Sequence, residues 1–579
     1  MGSFESKLPA VDNASTATTN GDDTSYKVLE QPYGTARQIR IVTIGAGASG
    51  LNLIKTLRTH MTNYDHVVYE KNPEIGGTWY ENRYPGCQCD HPSHNYQFSW
   101  RPNPNWTKFS ADSTEIQEYL CRLCDEEGMR PEIKLSHEII RAEWNEDLGE
   151  WLLKIKNTII GEVFNDHCNF LLNASGILNN WKWPAITGLH DFKGELVHSA
   201  SWPENFDYNN KKVVVIGNGS SGVQIVPKIQ PHVKELVHVI RSPTWIAPPQ
   251  TERMLKGNSA EIIQSIKMDG DKFTTEQKDR FKADNDYYRG FIKAVEEQVN
   301  ARFKAQVDVK TLGEASRKIM VAHMTKALGG NQELMDAMIP KFPVGCRRLT
   351  PGVGYLESLG KENVRVVTQG ITKITEKGLE LTSGEVVEVD AIICATGFDV
   401  SFCPRFPIIG RKGNLQDTWR NGIPSAYMSC AVPNVPNYFV FLGPSAPIGH
   451  GSVLTISEHV AKYIVSMLKK CQTEGIKAVQ PKEDAVRDFT EHIQAFMPRT
   501  SWSGNCRSWY KNGTADGPII ALHPGSRIHW FHMLENFRGE DYEYTLDSNN
   551  RFRFLGNGFS VKEAEENPTW YLDTPNKLF

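Results

Sequence analysis

Two segments of the sequence share one pattern, and this pattern strongly limits how the chain can fold. RQIRIVTIGAGASGLNLIKTLRTH and KKVVVIGNGSSGVQIVPKI each combine an apolar run, a Gly-rich turn and a run with helical periodicity. An uninterrupted apolar run before such a turn is typical of a buried strand in a parallel sheet. No shorter period repeats, so the sequence predicts two separate α/β units rather than an array.

The first unit has the glycine spacing GxGxxG at Gly45, Gly47 and Gly50. The first glycine permits a tight turn, the second lets a pyrophosphate approach the backbone, and the third lets helix and strand pack closely. The following strand, HVVYEKN, carries Glu70, which is placed to accept hydrogen bonds from ribose hydroxyls. The unit therefore predicts a Rossmann-like domain for a nucleotide with a free ribose, such as FAD.

The second unit repeats the spacing at Gly217, Gly219 and Gly222, but its second strand ends in Arg241 where the first has Glu70. A carboxylate there would repel a 2′-phosphate, whereas a guanidinium can bind one through two parallel hydrogen bonds. We expect NADP at this site; the alternative is that Arg241 is only a solvated cap of the strand. Two sites of unlike preference indicate hydride transfer from NADPH to FAD.

The overall charge and hydropathy exclude several classes of protein. The 579 residues include 64 Lys and Arg against 68 Asp and Glu, a net charge of -4 that gives no general attraction for nucleic acid or an acidic membrane. No apolar run approaches the roughly 18 residues of a membrane span, and the N-terminus lacks a secretory signal. We therefore expect a soluble, cytoplasmic enzyme with no metal and no obligate protein partner. MGSFES fits the myristoylation pattern at Gly2, but that pattern is short and degenerate.

The eleven cysteines have no framework spacing, so reduced thiols are expected. Cys121 and Cys124 form a CxxC within an amphipathic helical pattern that has no second ligand pair nearby. We interpret this pair as structural rather than as a zinc or redox site.

The pattern predicts a discontinuous arrangement of domains. The first 25 residues are polar and cannot bury enough surface to become ordered, and late strands after residue 385 are expected to complete the first sheet. The predicted order is a disordered tail and N-terminal arm (1–35), the first segment of the FAD domain (36–180), the first segment of the NADP domain (181–250), a helical subdomain (251–340), the second segment of the NADP domain (341–385), the second segment of the FAD domain (386–545) and a C-terminal extension (546–579).

A wide-spaced motif lies between the two units. FKGELVHSASWP, residues 192–203, matches FxGxxxHxxxWP at every fixed position, from Phe192 to Pro203. This is the fingerprint of type I Baeyer-Villiger monooxygenases in the flavin-containing monooxygenase superfamily, which the sequence resembles. GGTWYENRYPGCQCD, GCRRL and ATGFD are similar to further segments of that family, and the tail resembles a fungal-type subgroup. The resemblance covers about residues 33–509.

The resemblance implies an enzyme that uses NADPH and O2 to insert one oxygen atom next to a ketone carbonyl, giving an ester or lactone through an anionic C4a-peroxide of FAD. It assigns one set of residues to FAD: Gly45, Gly47, Ala48, Ser49, Gly50, Glu70, Gly77, Thr78, Trp79, Asp90 and Tyr96. It assigns a second set to NADP: Gly217, Asn218, Gly219, Ser220, Ser221, Gly222, Arg241, Ser242, Arg347 and Trp502.

The resemblance also places Arg348, Asp90 and His198 at the reaction. A fixed cation lowers the proton affinity of the peroxide and stabilises the oxyanion of the adduct, and an arginine does so without titrating. Arg348 is expected to be that cation, with Asp90 orienting it. His198 is expected to fix the orientation of the two domains rather than to act as a general base. By the same resemblance, Trp502 is expected to belong to a loop that closes over the nicotinamide and excludes water.

Three other readings stay open. An N- or S-oxidising flavin monooxygenase would use the protonated hydroperoxide as an electrophile. A flavin disulfide reductase would need a redox pair beside the flavin, and Cys87 and Cys89 lie in the flavin-like segment, where we interpret them as packing residues. A flavoprotein that binds without turnover is the third. His450 either shapes the substrate pocket or is a loop histidine without a role, and linear, cyclic and bulky ketones all remain candidates.

Overall fold

The computed structural model describes residues 26–255, 260–565 and 569–572. The predicted tail and the myristoylation pattern at Gly2 lie outside these residues. The predicted arm packs on the C-terminal extension, because the backbone N–H of Tyr33 donates to the carbonyl of Phe559 at 2.7 Å. Within the described ranges, no helix is both long and apolar enough to cross a bilayer.

The first Gly-rich unit opens a five-stranded parallel sheet. In spatial order its strands are Tyr438–Val440, Phe170–Asn173, Ile39–Ile44, Tyr64–Tyr69 and Ile133–Lys134. The central strand is apolar along most of its length because both faces of the sheet are covered. Helices Ala48–His60 and Val453–Thr473 pack together within the core on one face.

The second unit opens another five-stranded parallel sheet. Its strands, in spatial order, are Val364–Val367, Glu235–Val239, Lys212–Ile216, Ala391–Cys394 and Glu195–His198. The α/β fold with two Rossmann-like units is therefore confirmed.

One expectation about the late strands is wrong. The strand in VEVDAIICATGFD, Ala391–Cys394, pairs with Lys212–Ile216 and belongs to the second sheet. Only Tyr438–Val440 joins the first sheet. A short, wholly apolar run fits the interior of either parallel sheet, so its composition does not reveal which partner it has.

A largely antiparallel sheet covers the other face of the first sheet. It contains Gly413–Asn414, Ile408–Gly410, His137–Asn145, Glu150–Asn157 and Val163–Cys168. Trp151 and Leu153 of this sheet share a core with Val42 and Ile44 of the first. Three two-stranded sheets pair Ile246–Ala247 with Thr350–Pro351, Met268–Asp269 with Lys272–Phe273, and Ile476–Pro481 with Tyr542–Leu546. A three-stranded sheet contains Ile371–Thr375, Gly378–Leu381 and Val386–Glu388.

The stretch predicted as a helical subdomain consists mainly of helices. They are Gln250–Met254, Glu261–Gln264, Thr275–Ala283, Asn285–Ala301, Phe303–Val307, Glu314–Ala327 and Gln332–Met338. Side-chain caps start several of them; the Asp284 carboxylate, for example, accepts the N–H of Tyr287 at 2.9 Å. Phe281, Tyr288 and Phe291 surround His94, so these helices rest on the segment that follows Asp90.

The remaining helices lie around the sheets. They are Thr78–Glu81, Ser113–Glu126, Ser220–Ile229, Tyr355–Leu359, Leu415–Asn421, Glu483–Phe496, Arg527–Glu535 and Lys562–Glu565. The helix Ser113–Glu126 confirms the helical reading of the CxxC pattern, and Cys124 is buried in its core while Cys121 is half-buried.

Candidate active site

A cavity of about 1500 Å³ lies at the carboxyl ends of the central strands of both parallel sheets. Gly45, directly after Ile39–Ile44, and Gly217, directly after Lys212–Ile216, both line it. Crevices at this end of parallel sheets are where such folds bind nucleotides. The two predicted nucleotide sites therefore open into one space.

Most of the residues predicted for the cofactors and for catalysis line this cavity. They are Gly45, Gly47, Ala48, Ser49, Glu70, Gly77, Thr78, Trp79, Asp90, Tyr96, Gly217, Asn218, Gly219, Ser220, Ser221, Arg241, Ser242, Arg347 and Arg348. Gly50, Gly222, His198 and Trp502 do not line it. The two glycines pack behind the turns, since a Cβ on either would collide with the carbonyl oxygen of the first glycine of its own motif.

The first turn fits a pyrophosphate nucleotide. Gly45 has φ +96°, and a Cβ there would lie 3.0 Å from the carbonyl oxygen of Ala174. The helix that starts at Ala48 has neither a side-chain cap nor an acidic residue in its first turn, so its leading N–H groups remain available to phosphate. The buried Glu70 carboxylate accepts the N–H groups of Ala46 and Asn72 at 2.8 and 2.9 Å. Burial raises its pKa while these bonds lower it, and its remaining lone pairs can accept ribose hydroxyls.

The second turn fits a nucleotide with an additional phosphate. The helix that starts at Ser220 is likewise uncapped and has no acid in its first turn. Arg241 lies exposed at the cavity edge, and Arg347 donates to the Ser242 hydroxyl at 2.8 Å and the Pro243 carbonyl at 3.2 Å. Burial, followed by the charge of Arg241, lowers the pKa of Arg347. Among the described residues no carboxylate forms an ion pair with either guanidinium, so both are available to a phosphate.

We expect Arg241→Ala to raise KM for NADPH about 10- to 100-fold and to leave KM for NADH nearly unchanged. A charge-assisted hydrogen bond contributes about 1.5–3 kcal/mol, and only NADPH carries the 2′-phosphate. Steady-state kinetics with both cofactors on one enzyme preparation provides the comparison, with NADH as the internal control. Equal losses for the two cofactors would make Arg241 a cap of its strand.

Arg348 and Asp90 form a two-pronged ion pair at the inner end of the cavity. The Nε and Nη2 groups of Arg348 donate to the two Asp90 oxygens at 2.6 and 2.8 Å. Burial alone would lower the pKa of Arg348 and raise that of Asp90, but the pairing outweighs burial and shifts each pKa the opposite way. The remaining Nη1 group points to the Ile448 carbonyl at 3.4 Å, a long and weak contact. Asp90 thus holds the Nε and Nη2 groups of Arg348, while the Nη1 group is available to donate to a ligand.

Trp502 lines a second, smaller cavity of about 160 Å³ on the other side of Arg348. It is 2% exposed, and its ring packs against Gly449 and Phe303. The Ser501 hydroxyl donates to Gln306, which ties the loop to the helical segment. The loop is therefore packed against the helical segment and the smaller cavity.

The expectation of reduced thiols is wrong for one pair. Cys346 and Cys506 form a disulfide with Cα atoms 6.3 Å apart and a sequence separation of 160. Cys346 directly precedes Arg347 and Arg348, so this bond ties the loop of Trp502 to the segment that carries these two arginines. Such a separation gives no spacing signal in the sequence. The nine other cysteines, Cys87 and Cys89 included, are free thiols.

His198 does not reach either cavity, so the structure does not support its inclusion among the catalytic groups. Its ring stacks on Trp181 at 4.5 Å, and burial lowers its pKa to about 4. The N–H of Ala200 donates to Nδ1 at 3.1 Å, so Nε2 carries the proton and donates to the Thr396 hydroxyl at 3.2 Å. The segment around Trp181 connects the first sheet to the second, and the segment around Thr396 leads from the second sheet to the antiparallel sheet. These contacts agree with the expectation that His198 fixes the orientation of the two domains, which stays a prediction.

The glycine of the same motif, Gly194, packs closely against Phe192. A Cβ on Gly194 would lie 2.5 Å from Cζ of Phe192 and would collide with the carbonyl oxygen of Asp390. The glycine is therefore required by the ring that lies across it.

Several residues at the site escaped the sequence reasoning. Gln250 donates to the carbonyl oxygen of Asp90 at 2.6 Å, and Arg302 donates to Gln250 at 3.3 Å. Tyr510 is buried beside Arg348, and burial raises its pKa to about 12. Gln250 and Arg302 belong to a stretch whose sequence indicates only a charged, helical segment. No local pattern distinguishes these two residues from their neighbours. His450 lies in the smaller cavity, where burial lowers its pKa to about 3.

Comparison with known proteins agrees with this geometry. Residues 115–260 match the family "Flavin-binding monooxygenase-like" and residues 43–112 match "NAD(P)-binding Rossmann-like domain". The FAD-binding monooxygenase tazF of Aspergillus terreus is 38% identical, over 96% of this chain and 99% of that protein. A Baeyer-Villiger monooxygenase of Streptomyces coelicolor is 31% identical, over 84% of this chain and 89% of that protein.

The chain belongs to the Baeyer-Villiger monooxygenase family. The structure of cyclohexanone monooxygenase from Rhodococcus sp. Phi1 bound to NADP+ superimposes with a TM-score of 0.74, at 26% identity, over 88% of this chain and all of that one. Like its relatives, the protein is a flavin monooxygenase whose cofactors are FAD and NADP.

A third match, residues 267–393 to "Cobalamin-independent synthase, Catalytic domain", does not correspond to a separate domain of this family member. Within that stretch, Val364–Val367 and Ala391–Cys394 pair with Glu235–Val239 and Lys212–Ile216, which lie outside it. The matched residues complete the second sheet.

Proposed function

We propose that the enzyme inserts one oxygen atom of O2 beside the carbonyl carbon of a ketone and so forms an ester or lactone. The balance is ketone, O2, NADPH and one proton giving ester, NADP+ and water. The observation that carries the proposal is the Arg348–Asp90 pair, which lies where the nucleotide cavity meets the smaller cavity. Bound FAD supplies the activation of O2 with electrons from NADPH.

Arg348 contributes a charge that does not titrate. When a nucleophile adds to a ketone, negative charge develops on the carbonyl oxygen, and a preorganised cation stabilises it where water is excluded. The two bonds to Asp90 fix the guanidinium plane, while Nη1 makes only the long contact with Ile448. Addition at carbon therefore suits this site better than electrophilic transfer of oxygen to nitrogen or sulfur, which develops no such oxyanion.

The loop of Trp502 excludes water from the same place. Trp502 is buried against Gly449, and the disulfide at Cys506 holds the loop on the segment that carries Arg348. Exclusion of water prevents the reducing equivalents of NADPH from being lost to hydrogen peroxide.

The test is turnover of the FAD-loaded enzyme with NADPH and labelled oxygen, ¹⁸O2. A cyclic ketone, a linear ketone, a tertiary amine and a sulfide are offered separately, and the products are identified by mass spectrometry. We expect a lactone or ester that contains one labelled atom, with NADPH consumed in equal amount. N-oxide or sulfoxide with no ester from either ketone would favour the N- or S-oxidising alternative, and peroxide alone would exclude both.

A further inference from the structure

The smaller cavity has an unusual excess of positive charge. Its lining includes four arginines, Arg253, Arg302, Arg347 and Arg348, but only one carboxylate, Asp90. Asp90 is already held in the two-pronged pair with Arg348. Beyond this pair, Asp90 attracts Arg253 and Arg302 only at longer range, and no second carboxylate of the cavity wall neutralises them.

Arg253 and Arg302 have no acidic partner in the described parts of the chain. Neither forms an ion pair there, and the four residues outside the described ranges nearby, 256–259, are Lys, Gly, Asn and Ser. Within the described ranges, the one side-chain hydrogen bond of Arg302 is to the neutral Gln250, at 3.3 Å. Unneutralised charge in a partly buried position costs free energy unless a ligand pairs with it.

The electrostatic surroundings agree with this shortage of negative charge. Burial, followed by repulsion from Arg253, lowers the pKa of Arg302 to about 9, and burial lowers the pKa of Arg253. The two histidines of the cavity add no charge at neutral pH, because burial lowers the pKa of His91 to about 4 and of His450 to about 3. Both arginines remain cations that a bound anion would stabilise.

The position of Arg302 relative to Arg348 is defined by a chain of hydrogen bonds. Arg302 donates to Gln250, Gln250 donates to the carbonyl oxygen of Asp90, and the Asp90 carboxylate holds Arg348. An anion on Arg302 would therefore be separated from Arg348, the group proposed to bind the ketone oxygen, by two residues of this chain, Gln250 and Asp90. Apolar side chains such as Val299 and Met320 line the same cavity and suit the carbon skeleton between two polar ends.

We propose that Arg253 and Arg302 form a carboxylate-binding subsite, and that the enzyme prefers ketones carrying a carboxylate. Planar guanidinium groups match a carboxylate through paired hydrogen bonds. The preference for keto acids rests on the proposed ketone oxygenation, whereas the carboxylate site itself does not. The two are therefore tested by separate measurements.

The binding measurement needs no turnover. Octanoate and methyl octanoate are titrated by calorimetry into the enzyme loaded with FAD and NADP+, for wild type, Arg253→Met, Arg302→Met and Arg289→Met. Methionine keeps much of the arginine stem, and Arg289 is a matched control that is exposed on the helix Asn285–Ala301. We expect Kd for octanoate to rise about 10- to 100-fold in the Arg253 and Arg302 variants only, as for lost charge-assisted hydrogen bonds.

The turnover measurement compares 5-oxohexanoate, 7-oxooctanoate and 9-oxodecanoate with their methyl esters. We expect the acid-to-ester ratio of kcat/KM to exceed 1 at one chain length and to fall about 10- to 100-fold in Arg302→Met, with KM for NADPH unchanged. If octanoate binding depends on the arginines but no ketone gives an ester, the carboxylate site stands and the proposed oxygenation fails.

Several outcomes would overturn the subsite or the substrate preference that rests on it. Octanoate that fails to bind wild type, or that binds all four proteins alike, would show that Arg253 and Arg302 do not hold a carboxylate. Ester formation with no advantage for any keto acid would remove the substrate preference. A raised KM for NADPH in Arg302→Met, with the acid-to-ester ratio unchanged, would assign these arginines to the nucleotide instead.

Discussion

Arg348→Ala is expected to abolish ketone oxygenation, with a loss of about 1000-fold or more in kcat, while FAD stays bound and NADPH still reduces it. Removal of one preorganised donor to an oxyanion costs about 100- to 1000-fold in kcat, and here a full charge is lost as well. Arg241 and Arg347, which lie in the nucleotide site, are untouched, so reduction of the flavin should proceed. Ester yield by gas chromatography and anaerobic reduction followed by flavin absorbance separate the two half-reactions.

Arg348→Lys is the matched variant, because it keeps the charge but loses the two-pronged bond to Asp90. We expect it to retain some of the oxygenation that Arg348→Ala loses. Normal ester formation by Arg348→Ala would remove this residue from the mechanism. A loss of flavin reduction equal to the loss of ester would assign it to the nucleotide rather than to the ketone.

Arg348→Ala is also expected to change the stability of the fold in a pH-dependent way. In the wild type Arg348 outweighs burial and holds the pKa of Asp90 below its ordinary value, so this pairing stabilises the fold above about pH 4 and is lost as pH falls. In Arg348→Ala only burial acts strongly, and it raises the pKa of Asp90, so ionising the carboxylate then destabilises the fold. The difference in Tm between the two proteins should therefore be largest near neutral pH and shrink below about pH 4. A constant difference across this range would show that the charge of Asp90 does not cause it.

The two nucleotide-binding turns could be predicted from the sequence, because the conformation of each turn depends on residues that are close together in the chain. Gly45 and Gly217 both have positive φ, and glycine tolerates that conformation far better than other residues. Arg348 and Asp90 are different, since 258 positions separate them and only the resemblance to a known family brought them together. The ion pair between them confirms that they are neighbours, while their roles in the reaction stay predictions.

Contacts between residues far apart in the chain could not be predicted from the sequence, because no local pattern specifies the partner. The strand Ala391–Cys394 is apolar throughout and fits either sheet, so its partner Lys212–Ile216 follows only from the tertiary fold. The bond between Cys346 and Cys506 joins two loops with no common motif. Arg302 is one basic residue within a charged helical stretch. Only its hydrogen bond to Gln250 in the folded structure distinguishes it from the other basic residues there.

Cys506→Ser is expected to release the loop of Trp502 and to divert NADPH from product to hydrogen peroxide. The disulfide to Cys346 is the covalent link between this loop and the arginine segment. Removing a native disulfide typically costs about 2–4 kcal/mol of stability, and a loop that opens more often admits water to the site. The measurements are the ratio of ester to NADPH consumed, peroxide by coupled assay, and Tm.

Matched variants isolate the covalent bond from the loss of a thiol. Cys346→Ser should reproduce Cys506→Ser, and the double variant should add nothing further, because one bond is removed in each case. Cys121→Ser, at a free and half-buried thiol, should leave the ratio of ester to NADPH unchanged. A reductant should convert the wild type to the behaviour of Cys506→Ser and should not affect that variant. An unchanged ratio in Cys506→Ser would instead show that the packing of Trp502 on Gly449, together with the Ser501–Gln306 hydrogen bond, is sufficient to keep the loop closed.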